Sequence, residues 1–247
     1  MQIKKSSDNV AHPPEDFAPV LASETPLFLV GGQAVNLWAL YYSERTSGLA
    51  PFVSRDVDVL GNRETLMRIA KLAGVKPQFF PMRPPTNEIG VVIAKGTDGG
   101  ALTVEVLSQI HGISNEDLCE PAYTIVVGEN KVKVRVPGPI ALFQAKIANV
   151  ADLNQAGRQD ARHVSILAQL LPAYLKDIHK SVQTGRIDER GMLTLLERLL
   201  TVVTTSKARQ VLHSLGINSR SLFSEIDASK PSKLHSFITK RLPRALA

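Results

Sequence analysis

The order of apolar and polar positions divides the chain into a stretch of short strands and a stretch of helices. From Leu27, LFLVGG is a short apolar run stopped by two glycines, and QAVNLWALYYSER continues with Ala34, Leu37, Trp38 and Tyr41 at helical spacing. This pattern predicts strand, tight turn, helix. VSRDVDVL alternates like a half-buried strand, with Val57 and Val59 on one face and Asp56 and Asp58 on the other. NRETLMRIAKLAG reads as a helix that Asn62 caps at its start and Gly74 closes. EIGVVIAK and ALTVEVLSQI form a strand pair around GTDGG, and YTIVV and KVKVRV a hairpin around GEN. Trp38 and the pair Tyr41-Tyr42 fall on a helix facing a sheet, where core packing outweighs base stacking.

At Pro137-Gly138-Pro139 the period changes. PIALFQAKIANV, a stretch from about Gly157 to Lys180, DERGMLTLLERLLTVV, KARQVLHSLG and SKLHSFITKRL all carry the 3.6-residue repeat of amphipathic helices. The expected organisation is a flexible arm over residues 1–20, an α/β domain over 21–136 and a helical domain over 137–247, an α+β chain overall. No internal repeat or low-complexity tract interrupts it.

Composition narrows the class. With 44% hydrophobic residues in 247, the chain can bury a core, and disorder is excluded as the main state. No apolar run reaches the roughly 18 residues of a spanning helix, and the polar N-terminus lacks an apolar signal core, so a cytoplasmic protein without membrane partners is expected. The single Cys119 reads as a small buried hydrophobe, and no Cys/His cluster suggests zinc. The net charge of +6 is unevenly spread. Residues 137–247 hold 16 Lys+Arg against 8 Asp+Glu, or +8, leaving 13 against 15, or −2, before them. A basic C-terminal half suits a polyanionic partner, and equally a solvated helical surface.

Three acids sit on strands in an apolar frame: Asp56 and Asp58 in VDVDV, and Glu105 in VEV. Period 2 puts the two aspartates on one face, roughly 6 to 7 Å apart along the strand. Hard oxygen ligands at that spacing suit Mg²⁺, which binds through a few carboxylates and substrate phosphates. A third carboxylate on another strand completes such a site or takes a proton from an attacking hydroxyl. Alone, this pattern is also that of a solvated edge strand. Upstream, Gly31-Gly32 closes an apolar strand and opens a helix, where backbone N–H groups face phosphate oxygens. His111 and His163 have no motif partner and read as surface or core histidines.

This order (apolar strand, Gly-Gly, helix, acid-apolar-acid, then a lone acid on another strand) resembles the nucleotidyltransferase superfamily typified by DNA polymerase β. VGGQAVNLWALYY, VSRDVDVL and VEVLSQIHG look like the AbiEii-type and related minimal nucleotidyltransferases of bacterial toxin–antitoxin and abortive-infection systems. PGPIALFQAKIANVADLNQAGRQDARHV is similar to their pattern after the catalytic strands, and the resemblance covers about residues 27–167. It implies a nucleotidyltransferase-type mixed sheet flanked by helices. It implies further that Asp56, Asp58 and Glu105 hold Mg²⁺ (or Mn²⁺) and act in catalysis, and that Gly31, Gly32 and Ser54 contact the phosphates of an NTP. Lys146 and Arg158 would neutralise the leaving pyrophosphate, and Asp160 would position substrate. Three features depart from the family: Phe52 stands where an Arg is common, with Arg55 or Arg45 as substitutes; the spacer from Gly32 to Asp56 is long; and Glu105 replaces the commoner Asp.

The activity so implied is Mg²⁺-dependent transfer of an NMP from an NTP to a hydroxyl of tRNA or protein, in a toxin with a cognate antitoxin as partner. A small-molecule (antibiotic) nucleotidyltransferase and a catalytically silent nucleotide- or partner-binding protein are the alternatives.

Overall fold

A computed structural model describes residues 10–81, 83, 86–96, 99–227 and 232–246. The chain forms two compact units, one of residues 1–41 and 49–138, the other of residues 42–48 and 139–247.

In the first unit a 3₁₀ turn at Pro14–Phe17 runs into α1 (Ala18–Leu21). Next come β1 (Phe28–Val30) and α2 (Gly31–Tyr41); α3 (Ser43–Thr46) belongs to the second unit. The first unit resumes with β2 (Asp56–Leu60), α4 (Arg63–Ala73), β3 (Gln78–Phe79), β4 (Glu88–Lys95) and β5 (Ala101–Leu107). It ends with α5 (Asn115–Cys119), β6 (Ala122–Val127) and β7 (Val132–Pro137). The strands make one mixed sheet ordered β3-β4-β5-β2-β1-β7-β6. β2 lies at its centre, antiparallel to β1 and parallel to β5.

Alternation decides which face is packed. Val57, Val59, Val104 and Val106 are wholly buried, while Asp56, Asp58 and Glu105 on the opposite face are half-buried. Gly90, opposite Val106 in the register, lies so close to α4 that an added Cβ would meet Leu66 Cδ2 at 2.6 Å. The valine face is therefore the one that α4 covers. Asn62 starts α4 by accepting a hydrogen bond from the Thr65 N–H (3.1 Å), and Gly74 ends it at φ 67°.

Three sequence readings need correction. Residues 10–20 are not a flexible arm: Phe17 and Leu21 are wholly buried, and the backbone of His12 pairs with that of Ser54. The prolines that suggest a loose segment start a 3₁₀ turn whose apolar side enters the core; residues 1–9 lie outside the described residues. Tyr41 is not a core residue, being 67% exposed. Trp38 takes the buried side of α2, donating from Nε1 to the Pro137 carbonyl (2.9 Å) and meeting Tyr123 edge-on, and Tyr41 packs against its outer edge. Cys119 is only half-buried.

The second unit is helical: α6 (Pro139–Asp152), α7 (Asp160–Gln183), α8 (Glu189–Thr204), α9 (Ser206–Ser214), α10 (Lys233–Ser236) and α11 (Leu242–Ala245). Val164, Leu167, Leu171, Tyr174 and Ile178 form the buried stripe of α7. The amphipathic C-terminal stretch is helical without a break over 233–245, with a π-helical segment at Phe237–Arg241 between α10 and α11. Among the described residues no helix is long and apolar enough to cross a membrane.

Candidate functional site

The central strands gather the acids of the first unit. Asp58 faces Glu105 directly in the parallel pairing of β2 with β5, and Asp56 faces Thr103 two residues earlier. Paired residues point to the same side, so all three carboxylates share the face that the valines leave. Neighbouring strands about 4.8 Å apart bring Asp58 and Glu105 nearer to each other than Asp58 is to Asp56.

The glycine turn meets this face at Asp58. Val30, the last residue of β1, pairs with Asp58, and Gly31 follows at φ 63°. A Cβ built on Gly31 would collide with Asp58 Oδ2 and come within 2.7 Å of its Cγ. The carboxylate thus occupies the space that any larger residue at 31 would fill. Gly31 serves two needs, a left-handed backbone and room for an acid at the first turn of an eleven-residue helix. Gly32 is buried in that turn.

Ser54 stands at the start of the acidic strand, and its Oγ donates to Asp56 Oδ1 (3.3 Å). Its backbone is held by His12 in both directions: His12 N–H donates to Ser54 O (2.8 Å) and Ser54 N–H to His12 O (3.0 Å). Gln33 Nε2, in the first turn of α2, also donates to His12 O (2.9 Å), and Asp16 Oδ2 lies 3.0 Å from His12 Nδ1. His12, Asp16 and Gln33 therefore tie the strand of acids to the glycine turn. Sequence reasoning missed them, because a polar proline-rich segment carries no periodic signal of its docking. Arg55 points outward and is exposed, while Phe52 is buried in the core.

Whether these acids suit a cation is decided by their arrangement. Among the described residues no three His, Cys, Asp or Glu side chains gather into a group able to hold a metal ion. The donor set is hard oxygen on one open face, with no closed cage. That suits an ion such as Mg²⁺ or Mn²⁺, held by one or two carboxylates and completed by water and phosphate oxygens.

In the second unit the remaining predicted residues form one buried cluster. Lys146 on α6 and Asp160 at the start of α7 are both nearly inaccessible, with Nζ 2.7 Å from Oδ1. Arg158 Nε donates to Asp160 Oδ2 (2.6 Å), and Asn149 Nδ2 to Oδ1 (3.2 Å). Burial alone would raise the pKa of Asp160, but Lys146, Arg158 and Asn149 together outweigh it and hold it at about 2. Lys146 thus spends its charge on Asp160, while Arg158 keeps a side chain 42% exposed. His163, one turn along α7, is buried, and neither ring nitrogen has a hydrogen-bond partner. Burial first, then the Lys146 charge, push its pKa down to about 3 against the pull of Asp160. It is the core histidine of the two sequence readings; His111 is exposed in a turn.

The fold and site together define an α+β protein with acids on an open sheet face beside a glycine-opened helix. No family model matches the chain, and no curated protein matches it. Among solved structures, an antigenic nucleotidyltransferase-like protein from Paracoccidioides brasiliensis is similar at 13% identity over 88% of this chain and 97% of that one. The TM-score is 0.42, a likeness too slight to show a shared fold.

Proposed function

We propose that the protein is a Mg²⁺-dependent nucleotidyltransferase that moves an NMP from an NTP to a hydroxyl acceptor. The observation that carries this reading is the seating of the Asp58 carboxylate against Gly31, with Glu105 beside it in register. It puts acids and a helix N-terminus in one place, as a metal-bound polyphosphate requires.

Asp56 and Asp58 hold the cation, which supplies charge neutralisation for the phosphates and for the pyrophosphate that leaves. The N–H groups of Gly31 and Gly32 donate to the polyphosphate oxygens at the positive end of α2. Ser54 restrains Asp56, so that its second oxygen stays turned to the ligand. Glu105 takes the proton of the attacking hydroxyl as its oxygen bonds to the α-phosphorus and the bond to the bridging oxygen of pyrophosphate breaks. The acceptor is tRNA or protein, and the setting is a toxin checked by a cognate antitoxin.

Purified protein incubated with each radiolabelled NTP, Mg²⁺ and a bacterial lysate should label one macromolecule, and the Asp56→Ala/Asp58→Ala chain should label none. Transfer retained in the double variant overturns the assignment of the site. A second reading, a silent nucleotide-binding protein, is favoured by Phe52, an apolar core residue where the resembling enzymes often carry Arg. Calorimetric NTP binding without any labelled product would establish that reading instead.

A further inference from the structure

The second unit has an open surface cavity of about 320 Å³. Its floor is apolar, made by Val203, Leu212 and Ile217; its rim carries Arg209, His213 and Arg220. Among the described residues no acid lines it, and the chain has no Asp or Glu between Glu197 and Glu225. Arg209 and His213 are four residues apart on α9 and so share one face of that helix. Arg220 comes from the 3₁₀ turn Ser219–Phe223, fixed by Asn218 Oδ1, which accepts the Arg220 N–H (2.9 Å). Arg209 is steadied by donating from Nη2 to the Ala245 carbonyl (3.4 Å). Among the described residues neither arginine has a carboxylate partner. Lys207, by contrast, is paired with Asp152 at 2.6 Å.

We propose that this cavity is a nucleotide site. Two guanidinium groups, without a carboxylate partner among the described residues, take the phosphate, for which their planar forks are suited. The apolar floor takes the face of the attached base or sugar, and the volume fits a small ligand of that size. A free mononucleotide and the terminal nucleotide of an RNA strand present the same chemistry. The site stands independently of the sheet face, and its ligand need not be the substrate of any reaction there.

The test uses the full chain carrying Asp56→Ala and Asp58→Ala, so that binding at the sheet face does not contribute. AMP, adenosine, inorganic phosphate and a labelled single-stranded oligoribonucleotide are titrated at near-physiological salt. AMP or the oligonucleotide should bind, with adenosine and phosphate each at least about tenfold weaker, since each keeps half of the contacts. Adding Arg209→Ala and Arg220→Ala should weaken binding about a hundredfold, two charged hydrogen-bonding groups at roughly tenfold each. Both arginines are exposed, so the fold should survive. Binding of AMP alone identifies a free nucleotide, and of the oligonucleotide alone a strand end. The proposal is overturned if neither binds, if the arginine variants bind as tightly as their parent, or if Lys207→Ala weakens binding as much, which would mark diffuse attraction to a basic surface.

Discussion

Gly31 is the residue on which the arrangement of acids turns, and its cost of replacement separates into two parts. Its φ of 63° strains any L-residue by about 1 kcal/mol. Gly74 has a similar φ of 67°, with open space where a Cβ would go. Gly74→Ala should therefore cost about 1 kcal/mol in urea denaturation, the backbone part alone. Gly31→Ala should cost clearly more, because the new methyl must drive the Asp58 carboxylate off its seat. Equal losses in the two variants would show that Asp58 is not lodged there. At this scale the sequence was partly legible. Alternation alone put Asp56 and Asp58 on one face, and Gly-Gly marked the turn. It did not show that Asp58, and not Asp56, lies against Gly31, since that depends on the antiparallel register of β1 with β2. The place of Glu105 was still less visible, because parallel pairing joins strands more than forty residues apart in sequence.

Among the elements, the contact of α6 with α7 carries the strongest buried electrostatics. Asp160 has a pKa held at about 2, below its ordinary value of 3.8. A depressed carboxylate stabilises the fold above its unfolded pKa by about 2 kcal/mol, and that contribution disappears as pH falls from about 4 through 2. Asp160→Asn leaves Lys146 buried without its counter-charge and should cost about 3 kcal/mol at pH 7. The gap between variant and wild type should narrow as pH falls through about 2, where wild-type Asp160 takes up its proton; a gap constant with pH would refute the pairing. His163 acts in a different window. It is neutral when folded down to about pH 3 but takes up a proton near pH 6.5 when unfolded. The native state thus loses stability as pH falls from 6.5 toward 3. His163→Leu should remove this slope, and, because neither ring nitrogen is hydrogen-bonded, it should cost little at pH 7. Denaturation curves of both proteins at pH 7, 5 and 4 would reveal it, and parallel pH profiles would contradict it. Amphipathic periodicity located both helices, and both caps of α4 were legible as local signals. The buried ion pair was not, because Lys146 and Asp160 stand in apolar stripes whose polar members the pattern cannot pair.

On the scale of the whole molecule, the chain leaves its first unit and returns. The long spacer between Gly32 and Asp56 is visible in the sequence as an insertion, but the unit that absorbs it is set by partners 135 and 180 residues away. Tyr42 OH donates to Asp177 Oδ2 (3.2 Å), Arg45 pairs with Glu225 (2.8 Å), and Thr46 is completely buried. Lys176 reaches the same Glu225 carboxylate (3.3 Å), so Arg45 closes a three-residue network on the surface of the helical unit. Exposed ion pairs contribute at most about 1 kcal/mol each, which leaves the burial of Thr46 and the packing of α3 on α7 as the larger part. Residues 43–48 replaced by a Gly/Ser segment of equal length should therefore loosen the second unit locally. Amide hydrogens of α7 around Asp177 should exchange about tenfold faster, while those of β2 and β5, whose ladders involve none of these residues, keep their protection. If the strands lose protection and α7 keeps it, the segment belongs to the sheet unit and the division of the chain at Tyr42 is wrong.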